Sequence, residues 1–76
     1  MEETIDFIYD FIREFGVNIE GTIPPKPFSF RLMTASPVIR NNIQGALDQL
    51  VGRGILREEN GNFYLTEQGF NEVYNQ

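Results

Sequence analysis

The chain of 76 residues contains neither cysteine nor histidine, which excludes disulfides, thiolate metal sites and catalysis by imidazole groups. Its hydrophobic fraction of 41% and aromatic fraction of 13% are typical of a folded globular protein, and its length predicts one domain, residues 1–76. The formal net charge of −5 lowers the expectation of nucleic-acid binding, because contact with phosphates needs a basic surface.

Neither a secretory signal nor a membrane span is visible in the sequence. The N-terminus lacks a basic region followed by an apolar run. No apolar stretch approaches the roughly 18 residues that cross a bilayer. We therefore expect a cytoplasmic protein that does not enter the membrane.

The first predicted element is an amphipathic helix over Thr4–Phe15. Its apolar residues recur three and four positions apart and so share one face: Ile5, Ile8, Ile12 and Phe15. Thr4 is the expected N-cap, with Glu2 or Glu3 as earlier alternative starts, and Gly16 is the expected stop.

Two further rings widen the apolar face of this helix. Phe7 and Phe11 extend it to an arc of roughly 160° at about 100° per residue. The two rings either complete the core of the domain or form an exposed surface that binds a partner. On the second interpretation we expect a homodimer that uses Phe7 and Phe11, together with Tyr74 from the end of the chain.

The segment from Val17 to Phe28 has no helical period. Thr22–Ile23 predicts a very short strand. Pro24–Pro27 predicts a rigid connecting loop, because three of its four residues lack an N–H donor, and its spacing also matches, weakly, a polyproline II ligand. A short helix over Ser29–Thr34 should then direct apolar side chains to the core: Phe30 and either Met33 or Leu32.

The clearest helix start in the chain is Ser36-Pro37, since serine caps well and proline fits the first helical position. The helix is predicted to extend to about Val51 and to end at Gly52 and Gly54. Its buried stripe follows from the helical period: Ile39, Ile43, Ala46, Leu47 and Leu50.

The last third of the chain predicts a hairpin followed by a helix. Ile55–Arg57 forms the first strand, residues 58–61 the turn and Asn62–Leu65 the second strand, because Asn-Gly is the strongest short hairpin signal. Thr66 caps a last short helix. The inward residues of that helix are predicted from its period: Phe70, Val73 and Tyr74.

This order of elements, with a short turn between the second and third helices, resembles the winged helix-turn-helix domain. The most specific residues are the run from Ala46 to Leu56 and the sequence Tyr-Leu-Thr-Glu-Gln-Gly at 64–69. They look like the helix-to-wing junction of bacterial transcriptional regulators of the MarR and PadR kind. The resemblance implies an α+β, mostly helical fold with a three-helix core, a two-stranded β-hairpin wing and a short C-terminal helix.

The resemblance also implies a recognition helix over Ser36–Val51 that enters the major groove of double-stranded DNA. Its outward face carries Asn41 and Gln44, with Arg40 on the flank, and these are residue types that pair bidentately with guanine or adenine. Other cations would then hold the DNA backbone: Lys26, Arg31, Arg53 and Arg57. On this interpretation the chain is a DNA-binding, transcription-regulator-like module that acts as a dimer.

Acidic side chains favour an alternative, a protein-interaction module without DNA binding. Glu58 and Glu59 lie at the tip of the predicted wing and Asp48 on the outward face of the recognition helix, where they would repel phosphates. The negative net charge also favours a protein partner, which would bind to the acidic surface. Under either hypothesis we expect no enzyme and no cofactor, since the sequence has no nucleophile–histidine pair and no glycine-rich phosphate loop.

Overall fold

Residues 2–75, which the computed structural model describes, form four helices and one two-stranded antiparallel sheet. In chain order these are α1 (Glu2–Phe15), α2 (Pro25–Met33), α3 (Pro37–Gly52), β1 (Leu56–Glu59), β2 (Asn62–Leu65) and α4 (Glu67–Tyr74). The predicted α+β, mostly helical class is confirmed, and so is the hairpin. Met1 and Gln76, the ends of the predicted domain, lie outside the described residues. Within the described part, no helix is both long enough and apolar enough to cross a membrane.

The first helix begins at Glu2, one of the two earlier starts predicted as alternatives to a cap at Thr4. Because α1 starts at Glu2, Thr4 lies inside the first turn, where it is buried, and does not cap the helix. The stop at Gly16 is confirmed, with φ of +62°, a conformation that glycine adopts without strain. The N–H of Val17 then donates to the carbonyl of Ile12 at 3.1 Å, which closes the helix end in the manner of a Schellman motif.

The core lies between α1 and α3, and the hairpin and α4 close its remaining sides. Its fully buried side chains include Ile8, Ile12, Leu50, Leu56, Leu65 and Val73. On α3 the predicted stripe is confirmed at Ala46, Leu47 and Leu50, whereas Ile39 and Ile43 are only half-buried. The first half of α3 is less covered because α2, its neighbour in the chain, contributes no buried residue.

The second helix begins at Pro25, so the predicted loop over Pro24–Pro27 and the predicted helix start at Ser29 are wrong. Proline is tolerated there because the first-turn N–H groups of a helix have no intrahelical partner. The first intrahelical bond is donated by Phe28 to the carbonyl of Pro24, at 3.1 Å. The proline-rich run is therefore the N-terminal turn of a helix.

The orientation of α2 also differs from the prediction. Phe28 is its inward ring and packs against the core. Phe30 and Met33, which were predicted to face the core, are each 73% exposed. Leu32, which was the alternative to Met33 as a core-facing residue, is half-buried, and this agrees with the prediction for Leu32.

The second strand of the hairpin has the predicted bounds, but the first strand begins at Leu56 and continues to Glu59, so the predicted turn over 58–61 is too long and Glu58 and Glu59 belong to β1. The register of the hairpin pairs Leu56 with Leu65 and Glu59 with Asn62, so the turn consists of the two residues Asn60 and Gly61. Their φ angles are +53° and +80°, as a two-residue turn of this type requires. The predicted short strand is present as a single antiparallel bridge between Thr22 and Tyr64.

The last helix lies in direct contact with the chain that leads into β1. The hydroxyl of Thr66 accepts the N–H of Gly69 at 2.9 Å and lies 2.6 Å from the carbonyl oxygen of Gly54 and 3.0 Å from that of Ile55. Thr66 is thus the N-cap of α4, as predicted. At Gly69 a Cβ would lie 2.1 Å from the carbonyl oxygen of Ile55, so only glycine permits this approach.

We predict that Leu50→Ala lowers the free energy of unfolding by about 2–5 kcal/mol, because truncating a fully buried leucine leaves a cavity. Urea denaturation measures the change. Asn41→Ala, on the exposed side of the same helix, is the control and should shift the unfolding free energy by less than about 0.5 kcal/mol. A Leu50→Ala protein as stable as the wild type would refute the assignment of this helix face.

Gly69→Ala should be severely destabilising, since the new methyl group would overlap the backbone of Ile55. We expect a loss of more than about 3 kcal/mol, or failure to fold. Gly52→Ala is the matched control, because a Cβ at Gly52 meets nothing within 4 Å and alanine is the better helix former. Thermal melting that ranks Gly52→Ala below Gly69→Ala in stability would contradict the close contact.

Candidate interaction surface at the corner of α2 and α3

The three residues predicted to contact DNA bases are exposed on α3: Arg40, Asn41 and Gln44. Two of them already bond to other groups of the chain. Arg40 donates through Nη1 to the carbonyl of Ala35, and Gln44 donates through Nε2 to Oδ1 of Asp48 at 3.1 Å. Their exposure agrees with the prediction, and their role in reading bases stays a prediction.

Carboxylates interrupt the predicted basic flank of α3. Arg31 donates to Glu14 through both terminal nitrogens, at 2.7 Å and 2.8 Å, which is the bidentate geometry of a strong charge-assisted pair. Its guanidinium also lies over the ring of Phe15, 5.7 Å from the centroid. Arg31 therefore joins α2 to the end of α1, and its charge is matched by that of Glu14.

Two more of the predicted backbone-contacting arginines lie near carboxylates. Arg57 donates to Glu20 at 2.7 Å and to Glu59 at 2.5 Å, which engages the guanidinium on both sides. Arg53 lies 3.9 Å from a carboxylate oxygen of Glu72. A phosphate at Arg57 would compete with two hydrogen-bonded carboxylates, whereas the contact of Arg53 with Glu72 is longer than a hydrogen bond.

The start of α3 offers few free N–H donors for a phosphate. Pro37 has none. The N–H of Ile39 donates to the hydroxyl of Ser36 at 3.4 Å, and the N–H of Arg40 donates to the carbonyl of Ser36 at 3.0 Å. The serine cap that makes this helix predictable thus occupies groups by which a helix N-terminus binds anions.

The three most exposed of the large apolar side chains among residues 2–75 lie in the sequence on either side of the turn from α2 to α3. Phe30 and Met33 are each 73% exposed, and Val38, in the first turn of α3, is 54% exposed. Lys26, Phe30 and Met33 are spaced four and three residues apart, so they lie along one side of α2. With Arg40 they define what we call the corner surface: Lys26, Phe30, Met33, Val38 and Arg40.

The corner surface lies in the one long stretch of the sequence without acidic residues. Residues 21–47 contain three basic residues and no Asp or Glu, whereas all 11 acidic residues lie outside this stretch. Lys26 and Arg40 form no ion pair with a carboxylate in the part of the chain that the structure describes. The corner surface is therefore apolar and positively charged on a protein that is otherwise acidic.

The aromatic rings predicted for a dimer interface are largely used inside the fold. Phe11 is 1% exposed, stacks on Phe15 with centroids 4.4 Å apart and meets Phe28 edge-on at 5.0 Å. Phe7 is half-buried and lies 5.9 Å from the ring of Phe28. The exposed aromatic pair that this prediction assumed is thus not present: one ring is buried and the other is half-covered by α2.

Tyr74, the third residue of the predicted dimer surface, joins α4 to the C-terminal end of α1. Its hydroxyl lies 2.9 Å from the carbonyl oxygen of Ile12 and 2.8 Å from that of Val17, so its proton is shared between them. Burial raises the pKa of the Tyr74 hydroxyl, which agrees with a neutral group that donates. The phenol thus has a structural role within one copy of the chain.

A groove with three acidic residues in its lining lies between α1, the end of α3 and α4. It has a volume of about 350 Å³, and its lining includes Glu2, Asp6, Tyr9, Arg53 and Glu72. Among residues 2–75, no three His, Cys, Asp or Glu side chains are arranged to hold a metal ion.

Neither a protein-family model, nor a curated protein, nor a solved structure matches this chain. Its function must therefore be argued from its own surfaces.

We predict that Arg31→Gln raises the pKa of Glu14. In the wild type, hydrogen bonds from Arg31, reinforced by its charge, hold the pKa of Glu14 below its ordinary value. Any stability that the pair adds is present above the ordinary carboxyl pKa and is lost as the pH falls through the lowered value of the folded state. An NMR titration of the Glu14 carboxyl carbon measures the shift.

The control for this titration is Arg53→Gln, which removes an arginine that does not contact Glu14. It should leave the titration of Glu14 unchanged. If Glu14 titrates identically in the wild type and in Arg31→Gln, the contact between α1 and α2 is not populated in solution. Both side chains are substantially exposed, so we expect little change in overall stability.

Proposed function

We propose that the chain is a small module of the winged-helix type that binds a protein partner through the corner surface. The order of three helices, hairpin and short last helix agrees with that fold. The observation that carries the functional proposal is the exposure of Phe30, Met33 and Val38, which lie within nine residues of sequence around the turn from α2 to α3. Clustered exposed apolar side chains mark interaction sites more often than isolated ones do.

Energetics support this interpretation. Removing a Phe, Met or Val side chain from water is worth about 1.5–3 kcal/mol each when burial is complete. A chain of 76 residues has little stability to spare, because a small domain buries only about 60% of its unfolded surface. Phe30 and Met33 contribute little to that burial, so their apolar side chains are better explained by contact with another molecule.

DNA binding is the second candidate function. It is supported by the exposed Arg40, Asn41 and Gln44 on the first half of α3 and by the acid-free stretch around them. It ranks second because Arg31, Arg53 and Arg57 are paired with carboxylates. Apolar side chains at the corner would also gain nothing from facing phosphates.

Photocrosslinking in the cells that produce the protein tests the proposal. A benzophenone amino acid placed at Phe30 should give a protein adduct of one size. The same group placed at Glu67, an exposed residue of α4, should not give that adduct. Met33→Ser in the Phe30 derivative should abolish it, and Ile19→Ser, which changes a half-exposed apolar residue outside the corner surface, should retain it.

A titration with mixed-sequence duplex DNA separates the two candidates. We expect no mobility shift at tens of micromolar protein near 50 mM salt, where electrostatic binding is strong. A shift that Arg40→Ala weakens, together with the absence of a protein adduct from position 30, would overturn the protein-binding proposal in favour of DNA.

A further inference from the structure

We infer that the partner presents an acidic amphipathic helix to the corner surface. This inference rests on the proposed function and adds the chemistry of the partner. The charge of the surface is the first argument. Lys26 and Arg40 lie on either side of the exposed apolar residues in the sequence, and neither is paired with a carboxylate of the described chain. Carboxylates on the partner would complete both.

The spacing of the surface fits a helix. Lys26, Phe30 and Met33 run along one side of α2 over seven residue steps, or about 10 Å at 1.5 Å per residue. That length matches about two turns of a partner helix, which presents apolar side chains at i, i+3 or i+4, and i+7. Val38, five residues after Met33 and in the first turn of α3, adds a further exposed apolar side chain.

The charge of the remaining chain makes an acidic partner specific for this surface. The 49 residues outside 21–47 carry three basic and 11 acidic residues, so they repel carboxylates from the other faces. A second copy is a poorer occupant, because a two-fold contact between corner surfaces would bring the Lys26 and Arg40 side chains of both copies together. An acidic helix is attracted most strongly to the corner, because acidic residues outnumber basic ones in the rest of the chain.

Addition of the partner as a β-strand is less suited to this chain. Thr22 pairs with Tyr64 on the side of β2 that faces away from β1. A partner strand would therefore have to pair with the outer edge of β1. That edge is four residues long and includes Glu58 and Glu59, and short, charged edges resist pairing. An acidic segment would be repelled there.

The test uses the whole ¹⁵N-labelled protein and a synthetic helical peptide with leucine at three positions on one face and glutamate on the others. At peptide concentrations up to about 1 mM, which detect weak binding, amide shifts should be confined to α2 and the first turn of α3. Two control peptides are matched in length. One replaces glutamate by lysine and the other replaces leucine by serine, and neither should bind.

Protein variants separate the apolar and charged contributions. Phe30→Ser should weaken binding by about tenfold or more, since a large exposed ring loses its contact. Lys26→Glu should weaken it several-fold, because it replaces an attraction by a repulsion. Ile19→Ser and Arg53→Gln, which lie outside the corner surface, are the matched controls and should leave affinity unchanged.

The outcomes are distinguishable from failure of the proposed function. Equal binding of the lysine peptide, or amide shifts outside the corner, would overturn the inference that the partner is acidic. No shifts at all would overturn the inference as well, while a protein adduct from position 30 would leave the proposed function standing. Shifts at the corner that grow with the concentration of the protein alone would identify a second copy as the occupant and would also overturn the inference.

Discussion

The fold depends on a contact in which there is no room for a side chain. Gly69 faces the carbonyl of Ile55 so closely that a Cβ would overlap the backbone, and the hydroxyl of Thr66 holds both sides of the contact. This contact fixes the direction of α4. It thereby allows Val73 to enter the core and Tyr74 to reach the end of α1.

The position of α2 follows from that of α1. Once α4 has fixed the end of α1, Phe11 and Glu14 are held where α2 can meet them. Phe28 packs edge-on against the ring of Phe11, and Arg31 pairs with Glu14. Because α2 has no buried residue of its own, these contacts decide which of its sides faces outward. The corner surface is thus set by packing that begins at the other end of the chain.

Local rules predicted the parts of the fold that are decided locally. Ser36 and Thr66 cap their helices as the sequence indicates, and Asn60-Gly61 makes the expected turn. The proline run misled the prediction because the rule that excludes proline from a helix interior does not apply to the first turn. Apolar spacing then could not decide which side of α2 is buried, since Phe28 and Phe30 are both suitable anchors.

The candidate site was harder to predict because its character depends on distant partners. Exposure of Arg40, Asn41 and Gln44 follows from the helical period alone. The pairing of Arg31 with Glu14, 17 residues away, and of Arg57 with Glu20, 37 residues away, cannot be obtained from local spacing. The acid-free stretch over 21–47 was the signal in the sequence that marks the corner, and it is visible without coordinates.

Separating the charges in this way also gives the molecule an electric dipole. The positive end lies at the corner, and the negative charge is spread over the rest of a body whose longest extent is 30 Å. Such a dipole turns the corner toward an approaching acidic molecule, so a larger share of encounters begins in the productive orientation. The lifetime of the resulting complex would depend instead on the apolar contact. The two kinds of side chain at the corner would therefore control different rates, the charges the association and the apolar groups the dissociation.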